Sequence, residues 1–218
     1  MMVSAENDPR RAGTIWMLNL DEPAPVIQPL MPATFRRIGP DLLPILATRI
    51  RRDASDELLT RFETGRRCYT AWVGDELASY GWVSFDEEHI GELNLRIKLL
   101  PGEAYIWDCA TIPAFRRNHL YSALLSYIVA ELRTESLCRA WIGADMDNKP
   151  SQRGIVRARF HYVADLVMAR VLTLRQVWVQ GRPGIPDQIV AEARRAFLND
   201  RDKIWQAVAS SGMPARNE

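Results

Sequence analysis

Apolar positions along the chain recur with two periods, and each period marks a class of element. From Leu120 to Leu132, the residues Leu120, Leu124, Tyr127, Ile128 and Leu132 fall three or four apart, which predicts an amphipathic helix. Asp41–Arg51 repeats that spacing with Leu42, Ile45, Leu46 and Ile50. Asp53 or Ser55 can cap a second helix running to about Phe62, with Gly65 as its stop. Asn148–Arg159 reads as a shorter helix. A last one spans Pro186 to about Ala209, with Ile189, Ala193, Phe197, Ile204, Trp205 and Val208 apolar.

The other period is two. Within 90–100, Leu93, Leu95, Ile97 and Leu99 alternate with polar residues, the pattern of a strand with one buried face. Cys68–Val73 and Leu77–Phe85 flank Gly74-Asp75-Glu76, a hairpin signature. Thr34–Ile38, Glu103–Ile112 and Cys138–Ala144 read as further strands, and Tyr162–Val179 as one long strand or two. Thr14–Leu20 is either a strand or an arm lying on the body. Pro23, Pro25, Pro29 and Pro32 exclude helix and central strand from the stretch that follows, leaving an extended connector. The expected organisation is an arm and connector (1–32), a main domain (33–180) and a C-terminal helical extension (181–218). The order of elements predicts an α+β fold with a strand–helix–strand crossover inside it.

Charge and cysteine content narrow the function classes. Basic and acidic residues number 28 and 27, a net charge of +1, which gives no general attraction to nucleic acid or anionic membrane. Cys68, Cys109 and Cys138 are far apart, so neither a CxxC pair nor zinc-ligand spacing is present. An odd cysteine count, with Glu6 and Asp8 where a secretory signal needs an apolar core, leads to a cytoplasmic expectation. No apolar run approaches the roughly 20 residues of a membrane helix. Asp145-Met146-Asp147 lacks a third ligand at metal spacing and reads as a turn, so no metal is expected.

One segment carries chemistry. Ala104–Leu125 reads as a strand ending at Pro113, a basic loop with Arg116 and Arg117, and the start of a helix. A helix start presents unpaired N–H groups and a positive dipole end, which together favour an anion such as a diphosphate. Taken alone, the segment equally fits an ordinary loop with solvated arginines. It resembles the acetyl-CoA-binding motif of the GNAT (GCN5-related N-acetyltransferase) superfamily: a strand ending near a proline, Arg/Gln-x-x-Gly-x-Gly/Ala, then an apolar helix. Arg116 matches the first position, while His119 and Tyr121 stand at the two small-residue positions. A second stretch, Trp141–Phe160, resembles the family's strand, Asn-x-x-Ala/Ser and helix. Asn148, Ser151 and Phe160 match, Arg159 replaces a glycine, and Ile155 stands where a tyrosine often protonates the departing thiolate. Arg67–Trp82 is similar to the family's first hairpin, so the resemblance covers about 33–180.

The resemblance implies a mixed, mostly antiparallel sheet with helices on both faces. It also implies direct transfer of an acyl group from acetyl-CoA or another acyl-CoA to a small-molecule or peptide amine; the charge balance and hydropathy add the expectation of no nucleic-acid or membrane partner, and a homodimer is left open. Cys109, Ala110 and Thr111 would pair through their backbones with the pantetheine arm. Arg116, Arg117, Asn118, His119, Leu120 and Tyr121 would hold the pyrophosphate. Asn148 and Ser151 would lie near the sulfur, with Ser151 a substitute proton donor. A histidine held in the left-handed conformation would cost roughly 1–2 kcal/mol.

Asp108 is the candidate base, or else a structural carboxylate paired with an arginine; the sequence leaves both open. Glu92 and Glu103 are weaker candidates, expected to be solvated. Cys109 has no base near it in sequence. His89 and His161 read as structural or surface groups, and Trp72, Trp82, Trp107 and Trp141 as core, with an acceptor pocket as the alternative. Arg194, Arg195 and Arg201 lie on a helix with one packed face. The loss of the motif glycines and of the tyrosine also fits a catalytically silent module of this fold that binds CoA esters or a protein partner.

Overall fold

A computed structural model describes residues 10–23, 26–50, 55–90, 95–171, 174–198 and 202. Its strands are β1 (Arg10–Asn19), β2 (Thr34–Ile38), β3 (Arg67–Val73), β4 (Glu76–Ser84), β5 (Glu87–Ile90), β6 (Leu95–Lys98), β7 (Glu103–Thr111), β8 (Arg139–Asp145), β9 (His161–Val171) and β10 (Leu174–Gly181). Its helices are α1 (Leu43–Ile50), α2 (Ser55–Glu63), α3 (Leu120–Thr134), α4 (Lys149–Arg157) and α5 (Asp187–Phe197). Eight strands form one sheet in the order β10-β9-β1-β8-β7-β4-β3-β2, and β5-β6 form a small second one.

Adjacent strands in these sheets pair antiparallel except β7 and β8, which run parallel. A parallel pair needs a crossover, and α3 supplies it. The helical stripe of α3 (Leu124, Leu125, Ile128, Leu132) buries against Tyr69, Val83, Ile106 and Ile142 on one face of the sheet. On the other face α5 places Ala193 and Phe197 against Ile15, Tyr105 and Trp141, while Leu46 of α1 and Leu58 of α2 cover Cys68 and Trp82. The alternation of side chains along a strand makes this possible, since Tyr105 and Ile106 are neighbours in sequence that serve opposite cores. The expected α+β class, with a mostly antiparallel sheet and helices on both faces, is what is observed.

The structure decides two readings that the sequence left open and changes two expectations. Thr14–Leu20 is strand rather than arm: β1 lies inside the sheet between β8 and β9, so the boundary expected at residue 32 leaves an internal strand on its outer side. Apolar alternation alone cannot distinguish an edge arm from a buried strand. The strand expected over 90–100 is split between β5 and β6. Leu95 and Ile97 do face the core there, while Leu93 and Glu92 lie outside the described residues. Tyr162–Val179 resolves into the antiparallel pair β9 and β10. Glu103 is not solvated but 3% exposed, with Arg195 at 2.7 Å and Arg139 at 3.3 Å; Arg139 also bonds Glu192. That cluster ties α5 to β7 and β8. Leu198 leaves the helix in an extended conformation, and Arg201, Ile204, Trp205 and Val208 lie outside the described residues.

Candidate active site

Strand divergence shapes the site. The parallel ladder joins Glu103–Ile106 to Arg139–Ile142 and goes no further, although β7 continues to Thr111 and β8 to Asp145. Beyond Ile106 the two strands part, leaving a gap at the carboxyl end of the crossover pair. Two cavities open from it.

The rear cleft, about 680 Å³, is lined by Cys109, Ala110, Thr111, Arg116, Arg117, His119, Leu120, Tyr121, Asn148, Ser151, Arg153 and Arg157 among others, with no acidic residue in its wall. In a chain of net charge +1 this is a local concentration of positive charge. The α3 N-terminus faces it. His119 is the N-cap but makes no side-chain cap bond, so the helix provides no partner for the N–H groups of its first turn. His119 has φ 58° and ψ 11°, the left-handed conformation that the glycine of the resembled motif would adopt without strain, and Arg117 has φ 68°. The loop is held by its own bonds. Asn118 Nδ2 donates to the carbonyls of Phe115 and Arg116 at 3.2 Å each, and Arg116 Nε donates to Thr111 O at 3.2 Å. The connector reaches it too, Leu30 N donating to Asn118 O at 3.0 Å. Two carbonyls expected along the pantetheine arm already accept side-chain donors: Ser79 Oγ reaches Ala110 O at 2.8 Å, and Arg116 Nε reaches Thr111 O at 3.2 Å.

A front cavity of about 470 Å³ is lined by Gly13 and Thr14 of β1, Arg61 of α2, Glu88, His89 and Ile90 of β5, Tyr105–Cys109 of β7, and Ile142–Asp145 of β8, with Phe197 and Leu166. Its Trp107 is fixed by a donated bond to Ser84 Oγ (2.8 Å), which in turn bonds Glu88 (2.6 Å), which pairs with Arg66 (2.7 Å). Asp108 sits at a φ of 41°, beside a register shift in the facing strand between Tyr80 and Trp82. Its carboxylate accepts from Arg61 Nη1 at 2.6 Å. Arg61 is buried, its guanidinium 4.5 Å from the Trp107 ring centroid and 5.1 Å from that of Trp82, with Glu57 on its other nitrogen at 2.6 Å. Burial alone would lower its pKa, but Asp108 and Glu57 together raise it, so it stays charged. Asp145 lies exposed at the cavity mouth with no ion pair among the described residues.

Cys109, Tyr121, Asn148 and Ser151 line both cavities. Tyr121 Oη and Ser151 Oγ are 3.1 Å apart. Asn148 caps α4, its Oδ1 accepting from Ser151 N at 3.1 Å. The Cys109 thiol donates to Trp107 O, and burial, then Asp108, push its pKa up. Ile155 is fully buried in the core. His161 pairs with Glu22 at the surface, Asp145–Asp147 form a turn into α4, and Trp72, Trp82 and Trp141 are core.

The family's sequence profile, described as the acetyltransferase (GNAT) family, matches residues 39–155, more than half of the chain. The chain belongs to the GNAT acetyltransferase family. None of the curated proteins matches it. Among solved structures it is similar to a GNAT-family acetyltransferase from Colwellia psychrerythraea (10% identity, TM-score 0.56), covering 81% of this chain and 58% of that one. It is also similar to a GCN5-related N-acetyltransferase from Sphaerobacter thermophilus (14% identity, TM-score 0.53), covering 72% and 50%. The GNAT chain described here therefore spans between half and three fifths of these neighbours' lengths, and the likeness is one of fold.

Seen as a GNAT fold, the gap, the rear cleft and the α3 start bring together Cys109–Thr111, Arg116, Arg117, His119, Leu120, Tyr121, Asn148 and Ser151, while Asn118 bonds within the loop and Ile155 and Phe160 are core. Sequence reasoning missed Arg61, which no motif marks, and Gly13 and Thr14, which were assigned to an arm. It also missed Arg153 and Arg157, whose i,i+4 spacing after Asn148 was the available signal. No helix among the described residues is long and apolar enough to cross a membrane.

Proposed function

We propose that this chain transfers an acyl group, acetyl in the first instance, from acyl-CoA to the nitrogen of a small-molecule or peptide amine, by direct attack and without an acyl-enzyme. One observation carries the reading: an acid-free cationic cleft and a second, separate cavity meet at a shared cluster of side chains where two strands part. A donor that is anionic at one end and an acceptor entering from the opposite side would meet there, which converts a bimolecular reaction into a positioned one. The donor supplies a thioester, an acyl carbon already activated. Arg116, Arg117 and the N–H groups from His119 to Ser122 would hold its diphosphate, with Cys109–Thr111 along its arm and Asn148 and Ser151 near the sulfur. The raised pKa of the Cys109 thiol, and its bond to a carbonyl rather than a base, support direct transfer over a covalent route. The aromatic and aliphatic wall of the front cavity, with Asp145 at its mouth, suits a cationic amine on an apolar body. Three unpaired cysteines support a reducing compartment such as the cytoplasm.

A second reading, a catalytically silent module that binds CoA esters or a partner, is favoured by one observation: Asp108, the carboxylate best placed to act as base, is held by Arg61. Two measurements decide. Calorimetry should give acetyl-CoA binding that weakens at least tenfold in Arg116→Glu, because a carboxylate beside a diphosphate repels it. Acetyl-CoA consumption against a panel of amines should then find turnover. Undiminished binding in Arg116→Glu removes the loop from the site, and tight binding without any turnover leaves the silent module.

A further inference from the structure

We propose, on the acyl-CoA reading above, that the Tyr121 hydroxyl, partnered by Ser151, is the hydrogen-bond and proton donor to the sulfur that leaves the acyl carbon. The bond between donor and acceptor must form where the two cavities meet, and four side chains stand there. Asn148 is committed to capping α4, and its amide is no acid. Cys109 directs its thiol at the Trp107 carbonyl. Tyr121 and Ser151 remain, 3.1 Å apart and already one donor–acceptor pair.

The chain is also shaped to keep a tyrosine there. Tyr121 lies in the first turn of α3, where the resembled motif has a small residue. The space its ring needs is provided from α4: a Cβ added to Gly154 would stand 2.4 and 2.7 Å from two ring carbons of Tyr121. Gly154 adjoins Ile155, the buried residue that occupies the tyrosine position of the second motif. The phenol therefore enters the junction from the facing helix, and a glycine one residue away gives it room.

In the step, the amine nitrogen attacks the acyl carbon and the carbon–sulfur bond breaks as the carbon–nitrogen bond forms. The electron pair goes to sulfur. Tyr121 gives sulfur its proton while receiving one from Ser151, which takes its own from water. The proton lost by the amine returns to water, so the products are the amide and the free thiol. Burial, then Cys109, hold the Tyr121 hydroxyl protonated, against the lowering effect of Ser151, so a relay that never accumulates phenolate is the route open to it.

The test needs no acceptor. The thiolate absorbance of CoA bound to the full-length protein is titrated against pH, with the desulfo-CoA complex as blank, for wild type, Tyr121→Phe and Ser151→Ala. A hydrogen bond to the thiolate stabilises it, so Tyr121→Phe should raise the bound thiol's pKa by about one to two units. CoA affinity should stay within a few-fold. Ser151→Ala should shift the thiol the same way by less, and it carries the test if Tyr121→Phe does not fold. An unchanged thiol pKa in variants that still bind CoA overturns the proposal. So does a variant that loses CoA affinity while the thiol is unmoved, since Tyr121 would then be only a binding-loop residue. Failure of the wild type to bind CoA at all brings down the acyl-CoA reading itself.

Discussion

Conformation at His119 is the sharpest residue-scale finding. The motif resemblance marked position 119 as one for glycine, but its backbone angle depends on how the loop closes onto α3. The structure gives φ 58°, so the loop keeps the glycine geometry with an imidazole attached. A non-glycine residue there stores about 1 kcal/mol of strain, partly balanced by the extra freedom a glycine would have in the unfolded chain. His119→Gly should therefore leave the unfolding free energy equal or up to about 1 kcal/mol higher, measured by chemical denaturation. Arg116 and Arg117 already supply charge and the N–H groups face the cleft, so CoA affinity should be equal or better. Affinity lost in the variant would show instead that the ring binds the phosphate. Other residue-scale features were hidden from the sequence for the same reason. Positive φ at Asp108 and Arg117 has no compositional marker, because neither residue is glycine.

Between elements, the telling contact joins α2 to β7. The sequence left Asp108 open between a base and a paired carboxylate, since nothing in local spacing brings residue 61 to residue 108. Folding does so by packing α2 over Trp82, which delivers Arg61 to the irregular point of β7. The side chains are 9% and 16% exposed, and removing one partner of so shielded a pair leaves the other uncompensated, at a cost of roughly 3 kcal/mol. Arg61→Met should destabilise by about that much, as should Asp108→Asn to a lesser degree. The double variant should cost clearly less than the sum. Denaturant midpoints with a constant slope are the readout. Additive single effects, together with a kcat loss of about 10²–10⁴-fold in a fully stable Asp108→Asn protein, would restore the base assignment. The strands and helices that carry the site were readable because their periods are long and unbroken. The α2–β7 pairing was not, because it is tertiary.

At the scale of the whole molecule, the crossover and the mixed sheet followed from the order of elements, whereas the place of β1 did not. A seven-residue apolar run pairs as well at an edge as at the centre, and only closure of the complete sheet selects the slot between β8 and β9. That closure buries ionisable groups in their neutral forms, which gives stability a pH dependence of definite sign. Burial is the first cause raising the pKa of Cys68 and Cys109 above an ordinary 9.0, and of Tyr105, Tyr121 and Tyr162 above an ordinary 10.0. In the unfolded chain these five groups ionise near their ordinary values, while in the folded chain they stay protonated. A raised folded-state pKa contributes stability that is complete below the unfolded value and declines as pH rises above it. Each of the four deeply buried groups, Cys68, Cys109, Tyr105 and Tyr121, then adds up to about 1.4 kcal/mol of destabilisation per pH unit, and the more exposed Tyr162, screened by solvent, adds much less. Melting temperature should accordingly hold level from neutrality to about pH 9 and fall steeply above it. Tyr121→Phe, which removes one of the five groups, should make the fall shallower. A melting temperature that stays level well past pH 10 would mean that these thiols and phenols ionise as readily in the folded protein as in the unfolded chain.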